Sequence, residues 1–386
     1  MEIKELTNKE FKDFTKHYKL NSLYQTPEYG FVMNEENFDT VFLGLVDNNK
    51  ILAASLILIG KRKNFKYAYA PRGFLIDYSN YAILEKYTSL IKKYLSKLSI
   101  VSLTINPLIL KDDSNYNISF NNLKRLKYKH LGYNDFFEGI KPRFEVAVDI
   151  NKSHYNLFND IKKEFKTKIR SAEKMGIKVY KGSANKLDYL YTHTEKKYPR
   201  KMNYYKNIYQ FFKNNAEFYY AKLDTVKFLK EATDKVLKQE QNCRILTSKN
   251  KKDVITIKME KDLLLSRYKY ELEKANKLLL NNPDGILLAS CLIIKNKKEV
   301  YLLMDGYNKQ YKRLNAKHIM LWKLIEKYSK EGYKTFNLGG LPNPEKHSSK
   351  YDGLKEFKLS FNGKILEYSG DFELIINKPL YLLAKK

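Results

Sequence analysis

ILAASLILIGKRKNFKYAYAP (Ile51 to Pro71) and ILLASCLIIKNKKEVYLLMDG (Ile286 to Gly306) align with each other without a gap. Each reads as an apolar strand, a basic hairpin turn and a Tyr-rich strand. Working outward, an amphipathic helix follows each hairpin at nearly the same offset, SLIKKYLSK (Ser89 to Lys97) and KLIEKYSKE (Lys323 to Glu331). A further strand and a proline come next in both copies, SLTINP (Ser102 to Pro107) and NLGGLP (Asn337 to Pro342). Three blocks in one order at constant spacing mark an internal repeat. At 386 residues the chain is also too long for one ordinary core.

The strand before each hairpin corresponds as well. VFLGLV (Val41 to Val46) reaches the first hairpin across a DNNK turn, but a long segment separates FYYAKL (Phe218 to Leu223) from the second. That segment, Asp224 to Asn282, contains neither Gly nor Pro and sets apolar residues among dense mixed charges, until Asn-Pro-Asp-Gly ends it at Gly285. Val226, Leu229 and Val236, then Leu264, Tyr268, Ala275 and Leu279, form a thin seam at helical spacing, and TSKNKK (Thr247 to Lys252) divides the two halves. The pattern predicts an antiparallel coiled-coil hairpin projecting from a β-hairpin loop. Each repeat is then an α/β unit on a mixed sheet, an order that fits the GNAT type of acyltransferase fold used twice. The expected division is 1–150 for the first domain and 151–386 for the second, interrupted by the arm at 224–284. FEVAVDI (Phe144 to Ile150) reads as the strand leading into domain two, and Ile161 to Gly182 as a basic helix and strand.

Composition bounds the function. Seventy-two basic against 43 acidic side chains leave +29, a charge that draws RNA, anionic lipid or phosphorylated substrates. A codon bias toward Lys, Asn, Ile and Tyr accounts for part of this; it accounts less well for the scarcity of Asp and Glu. Thirty-two tyrosines and 21 phenylalanines supply much of the core. Cys243 and Cys291 stand alone with no metal-like spacing, which fits a reduced, cytoplasmic protein. The charged start resembles no signal peptide, and the longest apolar run, Ile51 to Gly60, is too short to span a bilayer. The chain has no HExxH, GxSxG or P-loop pattern, and its six histidines form no pair at ligand or relay spacing.

Four stretches resemble the Fem-type aminoacyl-tRNA-dependent transferases, which build the peptide bridges of bacterial cell walls. They are YAPRGFLIDY (Tyr69 to Tyr78), TKIRSAEKMGIKV (Thr167 to Val179), Arg313 to Leu341, and YDGLKEFKLSFNG (Tyr351 to Gly363). The resemblance covers nearly the whole chain, arm included. It implies tandem GNAT-like domains and a stem-peptide amine attacking the ester of an aminoacyl-tRNA. The acceptor would be lipid II or UDP-MurNAc-pentapeptide, with the enzyme in the cytoplasm or peripheral at an anionic membrane face. An aminoacyl ester is already activated, so the resemblance implies no metal or other cofactor, only aminoacyl-tRNA as co-substrate. The chemistry then reduces to bringing the amine close and stabilising an oxyanion.

By the same resemblance Lys358 stabilises that oxyanion or the ester end of the tRNA, with Phe357 beside it; read alone, Lys358 is one exposed lysine on a strand. Arg200 and Tyr204, in KYPRKMNYY, would hold the diphosphate and sugar of the acceptor, or form a solvated helix face. Tyr69, Arg72 and Asp77 would line the precursor groove; Arg72 reads equally as a structural partner of a domain-two helix. Family members that bind the acceptor's phosphates place a lysine near the position of Met33, so either another cation such as Lys61 or Arg62 replaces it or the acceptor is not the usual one. His347 lies near the Lys358 motif, where a proton shuttle or a plain loop residue are both open.

Two rival readings share these residues. An acyl-CoA-dependent N-acyltransferase cradles pyrophosphate on a glycine-rich turn, but KQYKRLNAKH (Lys309 to His318) carries Arg313 and Asn315 where glycines belong. A non-catalytic RNA-binding protein accounts for charge and aromatics and leaves the FKLSF and PRG motifs unexplained.

Overall fold

The computed structural model describes residues 1–20, 22–197, 200–245 and 251–385, with backbone alone at 251–253. The first half supplies β1 (Glu2–Glu5), β2 (Asp39–Asp47), β3 (Lys50–Arg62), β4 (Phe65–Ala70), β5 (Ile100–Ile105) and β6 (Lys129–His130). Next come β7 (Phe144–Asp149), β8 (Ile177–Gly182), β9 (Ala216–Leu223), β10 (Ile286–Asn296) and β11 (Glu299–Tyr307). The last are β12 (Thr335–Leu341), β13 (Lys364–Glu367) and β14 (Phe372–Ile375). They form two sheets, ordered β1-β2-β3-β4-β5-β14-β6 and β8-β9-β10-β11-β12-β7-β13. In each sheet one pair is parallel, β4 with β5 and β11 with β12, and the rest are antiparallel. A parallel pair needs a long crossover; the helices Tyr81–Lys97 and Ala316–Lys330 supply it. The expected mixed α/β architecture, used twice with an arm in the second copy, is what the chain forms.

The division at residue 150 is corrected by the strand partners. β7 precedes that boundary yet pairs with β12 and β13 in the second sheet, and β14 follows all of them yet pairs with β5 and β6 in the first. Each repeat therefore hands its last strand to the other. Alternation within a strand specifies which face is buried and says nothing about which sheet it joins. Phe372, Leu374 and Ile376 consequently complete the core of the first sheet, with Leu84, Tyr87, Ile91 and Leu95 from the crossover helix. A second core lies under the other sheet, around Phe165, Met320, Trp322 and Phe336. A third joins the two, where Phe11, Tyr29, Met33 and Leu56 meet Tyr204, Ile208, Phe218 and Tyr301. Buried tyrosines stay satisfied: Tyr87 donates to Leu43 O at 2.8 Å and Tyr328 to Glu217 Oε2 at 2.7 Å.

The arm consists of helices Thr225–Arg244 and Lys251–Asn281, leaving and rejoining the sheet between β9 and β10. Asp224 caps the first helix by accepting from Lys227 N at 3.0 Å, and Thr225 Oγ1 ties the base to Asn282 O at 2.8 Å. Val236, Ala232 and Ala275 are buried in the seam, while Val226, expected there, is 60% exposed. Thr247–Asn250 of the expected polar break lie outside the described residues. Among the described residues no helix is long and apolar enough to cross a membrane.

Candidate functional site

The two sheets differ at one place. β4 and β5 pair through to Ala70 and Ile105, whereas β11 and β12 pair only from Glu299 to Tyr301. Beyond Tyr301 the second sheet is open. The helix Asp352–Leu359 packs its last turn against this gap, and Lys358 on it is 7% exposed. Lys358 therefore lies on a helix, not a strand, and is buried. Its Nζ donates to Gly340 O at 2.6 Å. Gly339 sits at φ +73°, a backbone conformation that strains any residue with a Cβ, and a Cβ there would also stand 3.3 Å from Leu302 O.

Beside Lys358, Asp305 at the end of β11 is buried between Lys197, 3.1 Å away, and Lys317, with which it forms a close ion pair. Burial opposes ionisation of Asp305, yet Lys197 and Lys317 hold its carboxyl well below the usual carboxylate range. Burial pushes the Lys358 ammonium down to about 7, an effect that Asp305 opposes and Lys197 and Lys317 reinforce. A lysine so placed exchanges its proton near neutrality, and its ammonium form is a concentrated charge in a water-poor gap. Phe357 faces the other way. It packs on Phe165, His318 and Phe361, and the Lys317 ammonium lies 4.4 Å from its ring centroid.

A polar cluster between the sheets adjoins the gap. Arg72 Nη2 donates to Glu145 Oε1 at 2.7 Å and to Pro142 O at 3.0 Å, with its guanidinium 3.8 Å from the Tyr368 ring centroid. Glu145 also accepts from Tyr301 at 3.1 Å, Asn337 at 3.0 Å and Tyr368 at 3.3 Å. Although burial disfavours its charge, Arg72 and these donors hold Glu145 below the ordinary range. Arg72 thus joins the two sheets, pairing with strand β7 and not with a helix. Asn106 links it to Tyr69: its Oδ1 accepts from Arg72 N at 2.6 Å and its Nδ2 donates to the Tyr69 hydroxyl at 2.7 Å.

Arg200 and Tyr204 are brought together at the start of the helix Met202–Phe212, the guanidinium 4.7 Å from the ring centroid. Arg200 also reaches Glu36 at 3.4 Å. Nearby, the Lys141 ammonium sits 3.1 Å from the Tyr24 ring centroid and 5.9 Å from that of Tyr29. Among the described residues no carboxylate lies within ion-pair distance of Lys141. Burial, then repulsion from Arg72, pushes its ammonium well below the ordinary lysine value. The remaining expected positions lie apart. Asp77 is exposed, its Oδ1 accepting from Ser79 N at 2.9 Å and Ser79 Oγ at 2.6 Å in a turn. Met33 is buried in the core between the sheets, and Lys61 and Arg62 sit exposed on the β3–β4 hairpin, with no described contact to Arg200. His318 packs against Phe165 and Phe357, and the side chain of His347 is 94% exposed, 3.8 Å from Asp352.

The residues that sequence reasoning missed are Asp305, Lys197, Lys317, Glu145, Asn337 and Lys141. Asp305 stood one residue before the end of a quoted stretch, at LLMDG, and the paired glycines of NLGG, which Asn337 opens, lay at the gap; the other positions carried no signal. Fold and site together define a two-sheet mixed α/β protein that holds a buried lysine at the opening of one sheet.

The chain belongs to the FemAB family, whose model matches residues 6–386. It is 25% identical to the Lipid II:glycine glycyltransferase of Staphylococcus haemolyticus (strain JCSC1435), across 100% of this chain and 96% of that protein. It is 22% identical to the Aminoacyltransferase FemA of Staphylococcus aureus (strain bovine RF122 / ET3-1), across 99% and 97%. The fold matches a crystal structure of FemX with a TM-score of 0.78 at 22% identity, covering 100% of both chains.

Proposed function

We propose that this enzyme moves an amino acid (glycine, alanine, serine or a similar residue) from aminoacyl-tRNA to the stem-peptide amine of a peptidoglycan precursor, lipid II or UDP-MurNAc-pentapeptide. The observation that carries the reading is Lys358, buried in the gap between β11 and β12, in a chain that aligns end to end with a lipid II glycyltransferase. As the amine attacks the ester carbonyl, a C–N bond forms and negative charge develops on the carbonyl oxygen. The Lys358 ammonium, opposite the Gly339–Gly340 irregularity of β12, stabilises that charge; collapse then breaks the ester C–O bond, and the ribose oxygen leaves as a hydroxyl with the proton that the attacking nitrogen gives up. Asp305 keeps Lys358 protonated over a wider pH range than burial alone would allow.

Arg200, Lys141 and Tyr204 are the acceptor's binding groups in this reading. Lys141 provides the cation that Met33 does not: burial and Arg72 disfavour its charge in the free protein, and an arriving phosphate favours the ammonium again. Tyr69 and Arg72 shape the groove from behind, and Asp77 has no part in it.

The test supplies the protein with nucleotide- and lipid-linked muramyl pentapeptides and either radiolabelled aminoacyl-tRNAs or radiolabelled acetyl-CoA. Label should reach the precursor from tRNA only. Label passing from acetyl-CoA alone, or from neither donor, sinks the reading.

A further inference from the structure

The arm carries a second apolar face that its own partner helix does not cover. In the helix Lys251–Asn281 successive residues are about 100° apart, so Leu264, Tyr268, Ala275 and Leu279 share the side turned to the first helix. Ile255, Met259, Leu263 and Tyr270 fall within about 80° of one another on the opposite side. They are 62%, 68%, 74% and 58% exposed. Four large apolar side chains in one stripe are not the scattered exposure that any surface shows. Three of them, with Ile245 at 61%, lie in the distal part of the arm. At 31 residues the helix is about 46 Å long, which carries that end well away from the sheets.

Charge selects the occupant. Lys258, beyond an exposed Asp262, borders the stripe on one side and Lys274 on the other, both lysines exposed and neither in an ion pair among the described residues; the Lys274 ammonium lies 4.2 Å from the Tyr270 ring centroid. Lys238 and Arg244 add exposed cations at the distal end of the first helix, and the whole chain carries +29. RNA would meet the cations but has no use for Ile, Met and Leu between them. A bilayer with anionic headgroups satisfies both parts of the pattern: the apolar chains enter the headgroup–acyl boundary and the lysines remain at the phosphates.

We propose that the outward face of the arm's second helix docks on an anionic lipid bilayer through Ile255, Met259, Leu263 and Tyr270, flanked by Lys258 and Lys274. This deepens the proposed function by placing the enzyme where a lipid-linked acceptor resides, and the vesicle measurement that tests it uses no acceptor. Full-length protein is sedimented with vesicles of phosphatidylglycerol and phosphatidylcholine, or of phosphatidylcholine alone. The protein should pellet with the anionic vesicles and be released by salt. The triple variant Ile255→Gln, Met259→Gln, Leu263→Gln should bind at least tenfold more weakly, and Lys258→Glu with Lys274→Glu should weaken binding as well. Transfer to a soluble, nucleotide-linked acceptor should be unchanged in the triple variant, because the stripe is remote from Lys358. Failure of the wild type to pellet, or equal pelleting of the triple variant, overturns the proposal. So does a wild-type dimer that the triple variant dissolves, or a loss of RNA affinity with vesicle binding intact. A protein that binds vesicles but transfers no amino acid refutes the transferase reading and leaves the docking surface standing.

Discussion

Replacing Asp305 by Asn should change the pH dependence of transfer in a way that a merely structural role would not. Burial pushes the Lys358 ammonium down to about 7, and the Asp305 carboxylate does most to oppose this. Removing one opposing charge at such range lowers a pKa by about one unit. The attacking group is an aliphatic amine of pKa about 10, so its neutral fraction rises about tenfold per pH unit below that value. In the wild type, transfer should therefore rise with pH up to about 7. Above it, deprotonation of Lys358 cancels the gain and the rate is level. In Asp305→Asn the level region should begin near pH 6, about tenfold lower. The wild-type to variant ratio should stay within about twofold at pH 5.5 and reach about ninefold at pH 8. Single-turnover transfer of a labelled amino acid, followed from pH 5.5 to 8, reads this directly. A ratio constant across that range would refute the idea that Asp305 acts through the proton of Lys358.

Three further outcomes follow from the same geometry. Arg200→Ala and Lys141→Ala should each raise KM for the precursor roughly ten- to a hundredfold with little change in kcat, since each deletes a charge-assisted contact of ~1.5–3 kcal/mol; a fall in kcat alone would contradict the binding role. Arg72→Met should cost about 3–5 kcal/mol in denaturant unfolding, because Glu145 is left buried without its cation; unchanged stability would mean that Tyr301, Tyr368 and Asn337 suffice. Phe372→Ala, although close to the C-terminus, should cost about 3–5 kcal/mol and speed amide exchange in β5 and β6, while a local effect confined to residues after 364 would speak against the strand exchange.

Legibility in the sequence followed the range of each interaction. The two hairpins were readable because their short turns, with Lys63 and Lys297 at positive φ, fix the pairing of their neighbours locally. The arm was readable because the absence of Gly and Pro over a long charged stretch admits little but helix. The exchange of β7 and β14 was hidden, since FEVAVD and FELI look the same whichever sheet they complete. Lys358 was identified by motif, but the short segment Asp352–Leu359 reads equally well as strand or helix, and its burial depends on β11 and β12 parting. Asp305 looked like an ordinary residue before a turn glycine. Lys141 could not be told from some seventy other cations, because what distinguishes it is burial with no carboxylate within ion-pair distance among the described residues, a property of the folded chain. Arg72 was weighed evenly between site and scaffold; the structure ties it to Glu145 across the two sheets.

The central claim is that the buried ammonium of Lys358 stabilises the oxyanion of aminoacyl transfer. The most direct measurement is the single-turnover rate of Lys358→Ala at saturating precursor and aminoacyl-tRNA, beside its thermal unfolding. The account predicts a rate lower by about 10²–10³, the usual effect of deleting one oxyanion donor, with stability retained or raised because a desolvated charge has been removed. A variant that transfers at the wild-type rate would contradict it.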